Sequence, residues 1–214
     1  MIHLIDVEKY YGQTPVLKGI NLSVERGEFV SVMGSSGSGK STLLNLIGGM
    51  DLPDRGSIKV NGRELSSFSD DQLTAYRRQE VGFIFQFFNL LPNITVFENV
   101  RMPLLLNDIA DSSGVRGYLQ RVGMADKTDR FPHELSGGEQ QRVAIARALV
   151  HAPEIILADE PTGSLDTKNS RDVMDLLAAL AKEEGKTVVL VTHEDYIARF
   201  SQKVLRISDG VILA

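Results

Sequence analysis

The sequence of 214 residues contains no cysteine. This absence excludes disulfide bonds, cysteine-ligated zinc ribbons and catalysis by a thiol. Long apolar runs are missing as well, because stretches such as residues 188–191 and 104–106 fall far short of the ~20 residues that a membrane-spanning helix requires. The chain is long enough for one substantial core. We therefore expect a globular protein that does not itself span a bilayer.

Basic residues are in the minority. The 23 lysines and arginines are outnumbered by 28 aspartates and glutamates, which gives a net charge of −5. Because nucleic-acid binding normally requires a basic surface that replaces the counterions around phosphate, we expect no nucleic-acid partner. The beginning of the chain places Asp6, Glu8 and Lys9 inside what would have to be an apolar signal core, so we expect a cytoplasmic protein.

The apolar patterns predict two kinds of β-strand. Three early segments partly alternate between apolar and polar side chains, which is typical of antiparallel strands with one solvent-exposed face. These segments are residues 2–11, 19–24 and 57–60. Four segments that are short, apolar and rich in β-branched or aromatic residues indicate buried parallel strands, namely residues 29–33, 81–85, 155–158 and 188–191. With helical spacing at residues 43–48 and 173–180, the pattern predicts an α/β fold with a mainly parallel sheet and an N-terminal antiparallel β layer.

The strand signal disappears between about residues 89 and 153, where helical segments follow one another. These segments are residues 95–106, 115–122 and 137–150. No linker rich in proline, glycine or serine divides the sequence. We therefore predict a single domain over residues 1–214, in which a core of residues 1–88 and 154–214 carries an inserted helical subdomain of residues 89–153.

The segment GSSGSGKST follows one predicted parallel strand and precedes the helical pattern LLNLIGG. It matches the phosphate loop, in which backbone N–H groups and a helix N-terminus point at the same anion. Its residues are Gly34, Ser35, Ser36, Gly37, Ser38, Gly39, Lys40, Ser41 and Thr42. In such a loop Lys40 holds the terminal phosphates of a nucleoside triphosphate, and Ser41 supplies a ligand for Mg²⁺.

Polar residues also follow the other predicted parallel strands. Gln86 follows the second strand, Asp159 and Glu160 follow the third, and His193 follows the fourth. Because α/β sheets bind ligands at the carboxyl ends of their strands, we expect these residues to converge beside the phosphate loop. There Asp159 would assist with Mg²⁺ and Glu160 would polarise the attacking water. Taken singly, Gln86 and His193 would be an ordinary loop glutamine and an ordinary helix-start histidine.

The segment LSGGEQQR covers residues 135–142. Ser136 and Glu139 have the spacing of a capping box, which accounts for these two residues without a ligand. It does not account for Gly137 and Gly138, since glycines in a first helical turn cost roughly 1 kcal/mol each relative to alanine. We expect another group to approach this backbone closely, and a phosphate is the natural candidate. Because the chain already has one phosphate loop, the segment predicts a site shared between two copies.

The phosphate loop, Gln86, LSGGEQQ, ADEP and His193 occur in the order found in the ATPases of ABC transporters, which this sequence resembles over essentially its whole length. The resemblance implies a P-loop NTPase fold of the ABC type and a head-to-tail homodimer in the ATP-bound state. Two ATP molecules with Mg²⁺ would each lie between the phosphate loop of one copy and the LSGG segment of the other. Lys40, Glu160 and His193 would be the catalytic residues, with His193 at the γ-phosphate.

The resemblance also implies roles for single residues. Tyr11 would stack on adenine, Gln86 would contact Mg²⁺ and sense a partner, and Asp166 in GSLD would contact the second copy. Tyr10 is adjacent to Tyr11, and either tyrosine could instead be an ordinary aromatic of the strand. The sequence departs from the family pattern in Glu139, where glutamine is common, but this position belongs to the cap rather than to catalysis.

Within the family, the segments FQFFNLLPNITVFENV and LADEPTGSLD resemble the subgroup that serves lipoprotein-release, macrolide-efflux and cell-division complexes. The expected partner is a transmembrane permease subunit, and the expected location is the cytoplasmic face of the cell membrane. Apolar residues beside Gln86 would either contact this partner or pack in the core of the helical subdomain. They are Phe87, Phe88, Leu90 and Leu91.

Three alternatives to a transport ATPase stay open at the level of sequence. In the first, ATP-driven dimerisation pulls on a membrane protein to control an enzyme outside the cell, which the sequence does not separate from transport. In the second, a soluble ABC ATPase acts in DNA repair or on ribosomes, but such proteins usually carry tandem cassettes, long coiled coils or metal-binding inserts that are not seen here. In the third, the module is inactive, which the presence of Glu160 and His193 disfavours.

Overall fold

The computed structural model describes residues 1–213, which form ten β-strands and six α-helices. The strands are β1 (Ile2–Tyr11), β2 (Thr14–Val24), β3 (Phe29–Met33), β4 (Arg55–Val60), β5 (Arg63–Glu64), β6 (Val81–Phe85), β7 (Ile155–Asp159), β8 (Thr187–Thr192), β9 (Lys203–Ser208) and β10 (Val211–Leu213). The helices are α1 (Lys40–Ile47), α2 (Asp70–Glu80), α3 (Val96–Leu106), α4 (Ser113–Arg121), α5 (Gly137–Leu149) and α6 (Thr167–Glu183). Ala214, the last residue of the predicted core, lies outside the described residues.

An antiparallel sheet with the strand order β2-β1-β4-β5 covers the beginning of the chain. Along β1, Ile2, Leu4 and Val7 are buried, because successive side chains of a strand point to opposite faces. A bulge between Leu4 and Val7, with Asp6 at a φ of 48°, returns the apolar side chains to the buried face. The predicted antiparallel layer is confirmed, although β2 begins at Thr14 rather than at residue 19.

A second sheet has the strand order β10-β9-β3-β8-β7-β6. Its neighbouring strands are parallel except for β10, which is antiparallel to β9. Val188 and Leu190 of β8 belong to one hydrophobic cluster, whereas Val189 and Val191 belong to another. Both faces of the sheet are therefore covered, which is why its central strands are continuous apolar runs in the sequence. The predicted α/β fold with a mainly parallel sheet is confirmed.

Helices α3, α4 and α5 lie between β6 and β7 in the sequence and pack against one another. They share a buried cluster that includes Val100, Val115 and Val143. The division into a core and an inserted subdomain of residues 89–153 stays a prediction. Among the helices formed by residues 1–213, none has both the length and the apolar character needed to cross a membrane.

The sequence patterns did not reveal α2, β9 and β10. Helix α2 is mostly polar and buries only Leu73 and Tyr76, so its apolar residues are too sparse to indicate a helix. Strand β9 lies near the edge of its sheet, with Val204 exposed and Ile207 buried, and lacks the continuous apolar run of the central strands. The missing prediction of β9 matters for function, because β9 lies beside β3 and contacts the loop that follows β3.

Candidate functional site

The loop between β3 and α1 contains glycines that leave no room for a side chain. A Cβ atom on Gly34 would lie 2.4 Å from the carbonyl oxygen of Ile207 and 2.6 Å from Oγ of Ser38. A Cβ atom on Gly39, whose φ is 103°, would lie 2.7 Å from Cδ2 of Leu17. Strands β2 and β9 therefore hold the backbone of the phosphate loop in one shape.

Within the described chain, helix α1 begins at Lys40 with no side chain capping its N-terminus and no acidic residue in its first turn. The N–H groups of a first helical turn have no intrahelical partners, and they attract anions. The buried ammonium group of Lys40 donates hydrogen bonds to the carbonyl oxygens of Gly34 and Ser35, both at 2.9 Å. A helix N-terminus and a buried cation thus lie together at a loop that can bind phosphate.

Asp159 ends β7 beside this loop. Oγ of Ser41 donates a hydrogen bond of 3.2 Å to Oδ1 of Asp159 and so joins the start of α1 to the end of β7. Burial raises the pKa of the Asp159 carboxyl, and the neighbouring charge of Glu160 adds to the rise, although the Ser41 hydrogen bond and Lys40 oppose it. A partly buried carboxylate next to a second negative charge is an oxygen donor that a bound cation would stabilise.

Glu160 follows in a left-handed backbone conformation with a φ of 45°, which is uncommon for a residue other than glycine. Its N–H group donates a hydrogen bond of 3.0 Å to the carbonyl oxygen of Val191 in β8. Its carboxylate lies between two basic side chains, since Oε1 is 3.6 Å from Nζ of Lys40 and Oε2 is 2.9 Å from Nδ1 of His193. Strained backbone of this kind is frequent where a side chain is held in one functional position.

Two adjoining clefts open at the carboxyl ends of these strands. The first is lined by Ser35, Ser36, Ser41, Gln86, Asp159, Glu160 and His193. The second shares three of these residues and is lined by Tyr11, Val16, Ser36, Gly37, Gly39, Lys40, Ser41, Thr42 and Glu160. The structure therefore brings together the polar residues that follow β3, β6, β7 and β8.

The two adjacent tyrosines at the end of β1 have different surroundings. Tyr11 lines the second cleft, and its hydroxyl donates a hydrogen bond of 3.3 Å to Oδ2 of Asp51. The hydroxyl of Tyr10 donates instead to Oε2 of Glu8, at 2.9 Å. Of the two tyrosines, Tyr11 is the one placed beside the phosphate loop.

The N-terminus of α5 is capped by side chains of its own segment. The N–H group and the hydroxyl of Ser136 both donate to Oε2 of Glu139, at 2.9 and 3.0 Å, and the predicted capping box is confirmed. The second carboxylate oxygen of Glu139 accepts a hydrogen bond from the ammonium group of Lys127. These contacts hold the helix start together within a single chain.

Gly137 and Gly138 contact the segment around the start of α6. A Cβ atom on Gly138 would lie 2.9 Å from Oδ1 of Asn169, and one on Gly137 would lie 3.2 Å from Cδ2 of Leu165. Residues of the same chain therefore already approach this backbone, and the expectation that a phosphate bound to a second copy also approaches it stays a prediction. Asp166 caps α6 by accepting hydrogen bonds from the N–H groups of residues 168 and 169, each at 3.0 Å. Neither the LSGG glycines nor Asp166 lines either cleft.

A family model described as "ABC transporter" matches residues 17–163 of the chain. The chain belongs to the ABC transporter family. This membership confirms the resemblance inferred from the motifs, and with it the ABC fold and the ATPase activity.

Relatives of this chain align with nearly its whole length. The ABC transporter ATP-binding protein MJ0796 of Methanocaldococcus jannaschii is 47% identical over 99% of this chain and 95% of its own length. The macrolide export ATP-binding/permease protein MacB of Bdellovibrio bacteriovorus is 46% identical over 99% of this chain but only 33% of its own length. This chain therefore spans about a third of that relative.

A solved structure agrees with this assignment. The dimeric structure of a post-hydrolysis state of MJ0796 bound to ADP and Pi has a TM-score of 0.91 and 42% identity to this chain. The match covers 100% of this chain and 97% of that chain. Family and fold are thus shared with an ATP-binding cassette from end to end.

In this ABC ATPase, the helix that begins at the LSGG segment also holds the strand end before Gln86. The buried amide of Gln141 in α5 donates hydrogen bonds to the carbonyl oxygens of Phe85, at 3.3 Å, and Pro161, at 2.7 Å. The carbonyl oxygen of Gln86 itself accepts a hydrogen bond of 2.8 Å from Oγ of Ser164. Sequence reasoning gave Gln141 no role, although a polar residue at a buried helical position was an available signal.

Arg147, near the other end of α5, holds the chain after Gln86. Its guanidinium donates hydrogen bonds to the carbonyl oxygens of Phe88, at 2.7 Å, and Asn89, at 2.5 Å. Both acceptor residues have positive φ angles, 60° and 50°. Sequence reasoning missed this residue because the apolar pattern of α5 does not show which loop a partly buried arginine would reach.

Proposed function

We propose that this chain is the ATP-binding and ATP-hydrolysing subunit of a transporter complex and that it drives a separate transmembrane permease subunit. The observation that carries the proposal is the convergence of four strand ends, which place Lys40, Gln86, Glu160 and His193 around two adjoining clefts. A phosphate loop surrounded by an acid, an amide and a histidine supports hydrolysis of a nucleoside triphosphate.

The phosphates of ATP would bind to the backbone N–H groups of residues 34–42. The shape of this loop fits the role, because Gly34 and Gly39 have no room for a Cβ atom and α1 has no capping side chain. Lys40 would exchange its hydrogen bonds to loop carbonyls for hydrogen bonds to the terminal phosphates. Adenine would stack on Tyr11 at the outer end of the second cleft.

Ser41, Gln86 and Asp159 would hold Mg²⁺. Their hydroxyl, amide and carboxylate groups are the oxygen ligands that this ion prefers, and all three residues line the first cleft. Ser41 and Asp159 are already joined by a hydrogen bond of 3.2 Å. When bound, the ion neutralises charge on the phosphate oxygens.

Glu160 would orient the attacking water and accept its proton. Its carboxylate is held by His193 at 2.9 Å and faces Lys40 at 3.6 Å, so the acid lies next to the group that binds the terminal phosphates. A positioned carboxylate within hydrogen-bond reach of a water is a general base. His193 would hold the γ-phosphate from the end of the neighbouring strand.

The active form would be a homodimer that encloses two ATP molecules. Ser136, Gly137, Gly138 and Asp166 line neither cleft of their own chain, so their expected contacts with nucleotide require a second copy. MJ0796, which is 42% identical in the aligned structure, was solved as a dimer bound to ADP and Pi. The LSGG segment of one copy would then close the phosphate loop of the other.

The permease would dock on a groove between α2, α3, α5 and β6. Its apolar lining includes Phe83, Phe85, Pro103 and Leu106. Beside this groove Phe87 is 72% exposed and Leu91 46% exposed, whereas Leu90 packs against the core cluster. MacB carries an ATP-binding and a permease part under one name, which supports a membrane partner for this chain at the cytoplasmic face of the membrane. The helical subdomain of residues 89–153 would provide one wall of the groove.

The substitution Glu160→Gln tests this function. It keeps the shape of the side chain but removes its charge and basicity, so hydrolysis should fall by about 10²- to 10⁴-fold while ATP binding persists. Because hydrolysis no longer opens the dimer, the variant should accumulate as an ATP-bound dimer, and the wild type should stay largely monomeric in isolation. Size-exclusion chromatography with light scattering, run with ATP, with ADP and without nucleotide, measures this difference.

Glu154→Gln is the matched control. Glu154 lies just before the opposite end of β7, where it pairs with Arg26, and its loss should leave turnover and oligomeric state unchanged. A Glu160→Gln protein that hydrolyses ATP at the wild-type rate, or stays monomeric at saturating ATP, would contradict the role of Glu160.

A further inference from the structure

A partly buried ion pair lies next to Tyr11, which lines the second cleft. Lys9 of β1 is 8% exposed, and its ammonium group donates hydrogen bonds to Oδ1 of Asp51, at 2.7 Å, and to the carbonyl oxygen of Leu52, at 2.8 Å. Asp54 lies further away, at 4.0 Å from the same ammonium. A charged group this deeply buried is expensive unless it is paired, so Lys9 and Asp51 stabilise each other.

Tyr11 is attached to this ion pair at two points. Its hydroxyl donates a hydrogen bond of 3.3 Å to Oδ2 of Asp51, the oxygen that Lys9 leaves available. The Lys9 ammonium also lies 5.7 Å from the centroid of the Tyr11 ring, within the range of a cation–π interaction. Yet Tyr11 as a whole residue is 51% exposed, so it is tethered by its hydroxyl while much of its surface stays accessible.

Asp51 lies close in sequence to the helix that follows the phosphate loop. It follows the C-terminal end of α1, the helix that begins at Lys40, and the backbone N–H of Leu52 donates to its Oδ1 at 2.8 Å. Burial raises the pKa of Asp51, but hydrogen bonds from Lys9 and Leu52 outweigh burial and hold the pKa below its ordinary value. Asp51 is therefore a carboxylate held by hydrogen bonds in the segment between α1 and β4, and the Tyr11 hydroxyl is bonded to it.

We propose that Asp51, held by Lys9, is a positioning residue that orients the Tyr11 ring to receive the adenine base. The inference rests on the proposed function, in which the cleft binds ATP and Tyr11 stacks on the base. Ordering a side chain on binding costs free energy, and a tether present before binding avoids part of that cost. Neither Asp51 nor Lys9 needs to touch the nucleotide for this effect.

The substitution Tyr11→Phe isolates the tether, because it keeps the aromatic ring and removes the hydroxyl. Affinity for Mg²⁺-ATP should fall by about threefold, while affinity for Mg²⁺-tripolyphosphate, which has no base, should stay unchanged. Calorimetry on the isolated chain measures both affinities. A merely structural role of the hydroxyl would change both ligands alike or neither.

Two further variants calibrate the measurement. Tyr10→Phe removes a neighbouring hydroxyl that donates to Glu8 instead, and it should leave both affinities unchanged. Tyr11→Ala removes the ring and should weaken ATP binding by at least about tenfold, since the aromatic surface on which the base would stack is lost. If Tyr11→Ala leaves the ATP affinity unchanged, adenine does not stack there, and the proposed function loses this contact together with the positioning role.

A double-mutant cycle connects the effect to Asp51. In an Asp51→Ala background, Tyr11→Phe should cause no further loss of ATP affinity, because the tether is already gone. A loss in Tyr11→Ala without any loss in Tyr11→Phe would overturn the positioning role and leave the stacking contact standing. The positioning role is overturned in the same way if the threefold loss persists undiminished in the Asp51→Ala background. If Asp51→Ala does not fold, the comparison of Tyr11→Phe with Tyr10→Phe decides alone.

Discussion

The helix starts of α1 and α5 both carry glycines, but they are built in opposite ways. In α1, Gly39 precedes the helix and no side chain of the described residues caps it, while the ammonium group of Lys40 lies buried beside the loop. In α5, the hydroxyl and N–H of Ser136 are engaged by Glu139, whose other oxygen is engaged by Lys127. The N-terminus of α1 therefore has N–H groups available for an anion, whereas some N–H groups at the N-terminus of α5 are already bonded within the chain.

This difference shows that glycines at a helix N-terminus have two physical meanings. At Gly34 in the phosphate loop before α1, the nearest obstacle to a side chain is a backbone atom of β9, the carbonyl oxygen of Ile207, which cannot yield. At Gly138 the obstacle is the side chain of Asn169, which can turn. At the start of α5 the capping box already uses the N–H groups of Ser136 and Glu139, so fewer first-turn donors are left for an anion than at the start of α1. We therefore expect α1 to bind nucleotide in a single chain and α5 to bind it only when a second copy presents it.

The largest effect should come from Lys40→Ala, which breaks the α1 side of this comparison. Removing the buried cation should lower hydrolysis by about 10²- to 10³-fold and should strongly weaken ATP binding by the isolated chain. Steady-state turnover and calorimetry measure the two losses. Lys59→Ala, which removes an exposed lysine of β4, serves as the control. Near-wild-type turnover in a folded Lys40→Ala protein would remove the phosphate loop from the mechanism.

Ser136→Arg changes the start of α5, and it should lower ATP hydrolysis without lowering ATP binding by a single chain. The bulky side chain obstructs the shared site, so turnover should fall on the order of 10²-fold, whereas ATP binding by a single chain should stay almost intact. Ser113→Arg places the same side chain at the start of α4 and should preserve turnover. Loss of ATP binding by monomeric Ser136→Arg would show that the start of α5 belongs to the site of its own chain.

Gly34→Ala and Gly138→Ala test the same difference between the two helix starts by their effects on the free energy of unfolding. Gly34→Ala should lower the free energy of unfolding by about 1–3 kcal/mol, because its Cβ would lie 2.4 Å from the carbonyl oxygen of Ile207. Gly138→Ala should stay within about 1 kcal/mol of wild type, since the gain in helix propensity offsets the displacement of Asn169. Its turnover should nevertheless fall if a phosphate of the second copy approaches this backbone. Urea unfolding and turnover assays measure these two quantities, and equal destabilisation by both substitutions would refute the distinction.

We expect the smallest effect from Lys127→Met, which removes the hydrogen bond from Lys127 to Glu139 in the capping box of α5. The hydrogen bonds from Lys127 and from the N–H of Ser136 hold the pKa of Glu139 below its ordinary value of 4.5. A lowered pKa stabilises the fold above that ordinary value, and this stabilisation is lost as the pH falls through the lowered pKa. Wild type should therefore be slightly more heat-stable than Lys127→Met at neutral pH, and the difference should shrink in acid.

Thermal melts at several pH values measure this difference. In a Glu139→Gln background, Lys127→Met should show no pH-dependent difference of this kind. A difference that persists unchanged in acid would mean that Lys127 acts on stability through something other than Glu139.

The sequence predicts the parallel strands and the polar residues at their ends because these strands are buried on both faces. A continuous apolar run that stops at Asp159 indicates both the strand and the edge of the sheet where the carboxylate lies. It does not predict β9, whose exposed Val204 interrupts the pattern, and so it does not show why Gly34 has no room for a side chain. The choice between Tyr10 and Tyr11 likewise depends on Asp51, a residue 40 positions further along the chain than Tyr11.

Helix α5 runs from the LSGG segment, which we propose as part of a shared site, to the groove that we propose as the docking site of a permease. Gln141 and Arg147 hold the main chain on both sides of Gln86, and Arg147 lies ten residues, about 15 Å, beyond the helix start. A docked partner that shifts the exposed Phe87 would therefore also shift Ser136, because helix α5 would move as a rigid body. Such a connection works in both directions, because binding equilibria at two coupled sites must influence each other by the same factor. If the proposed permease raises the affinity for ATP tenfold, ATP must raise the affinity for that permease tenfold, without any contact between ATP and the membrane protein.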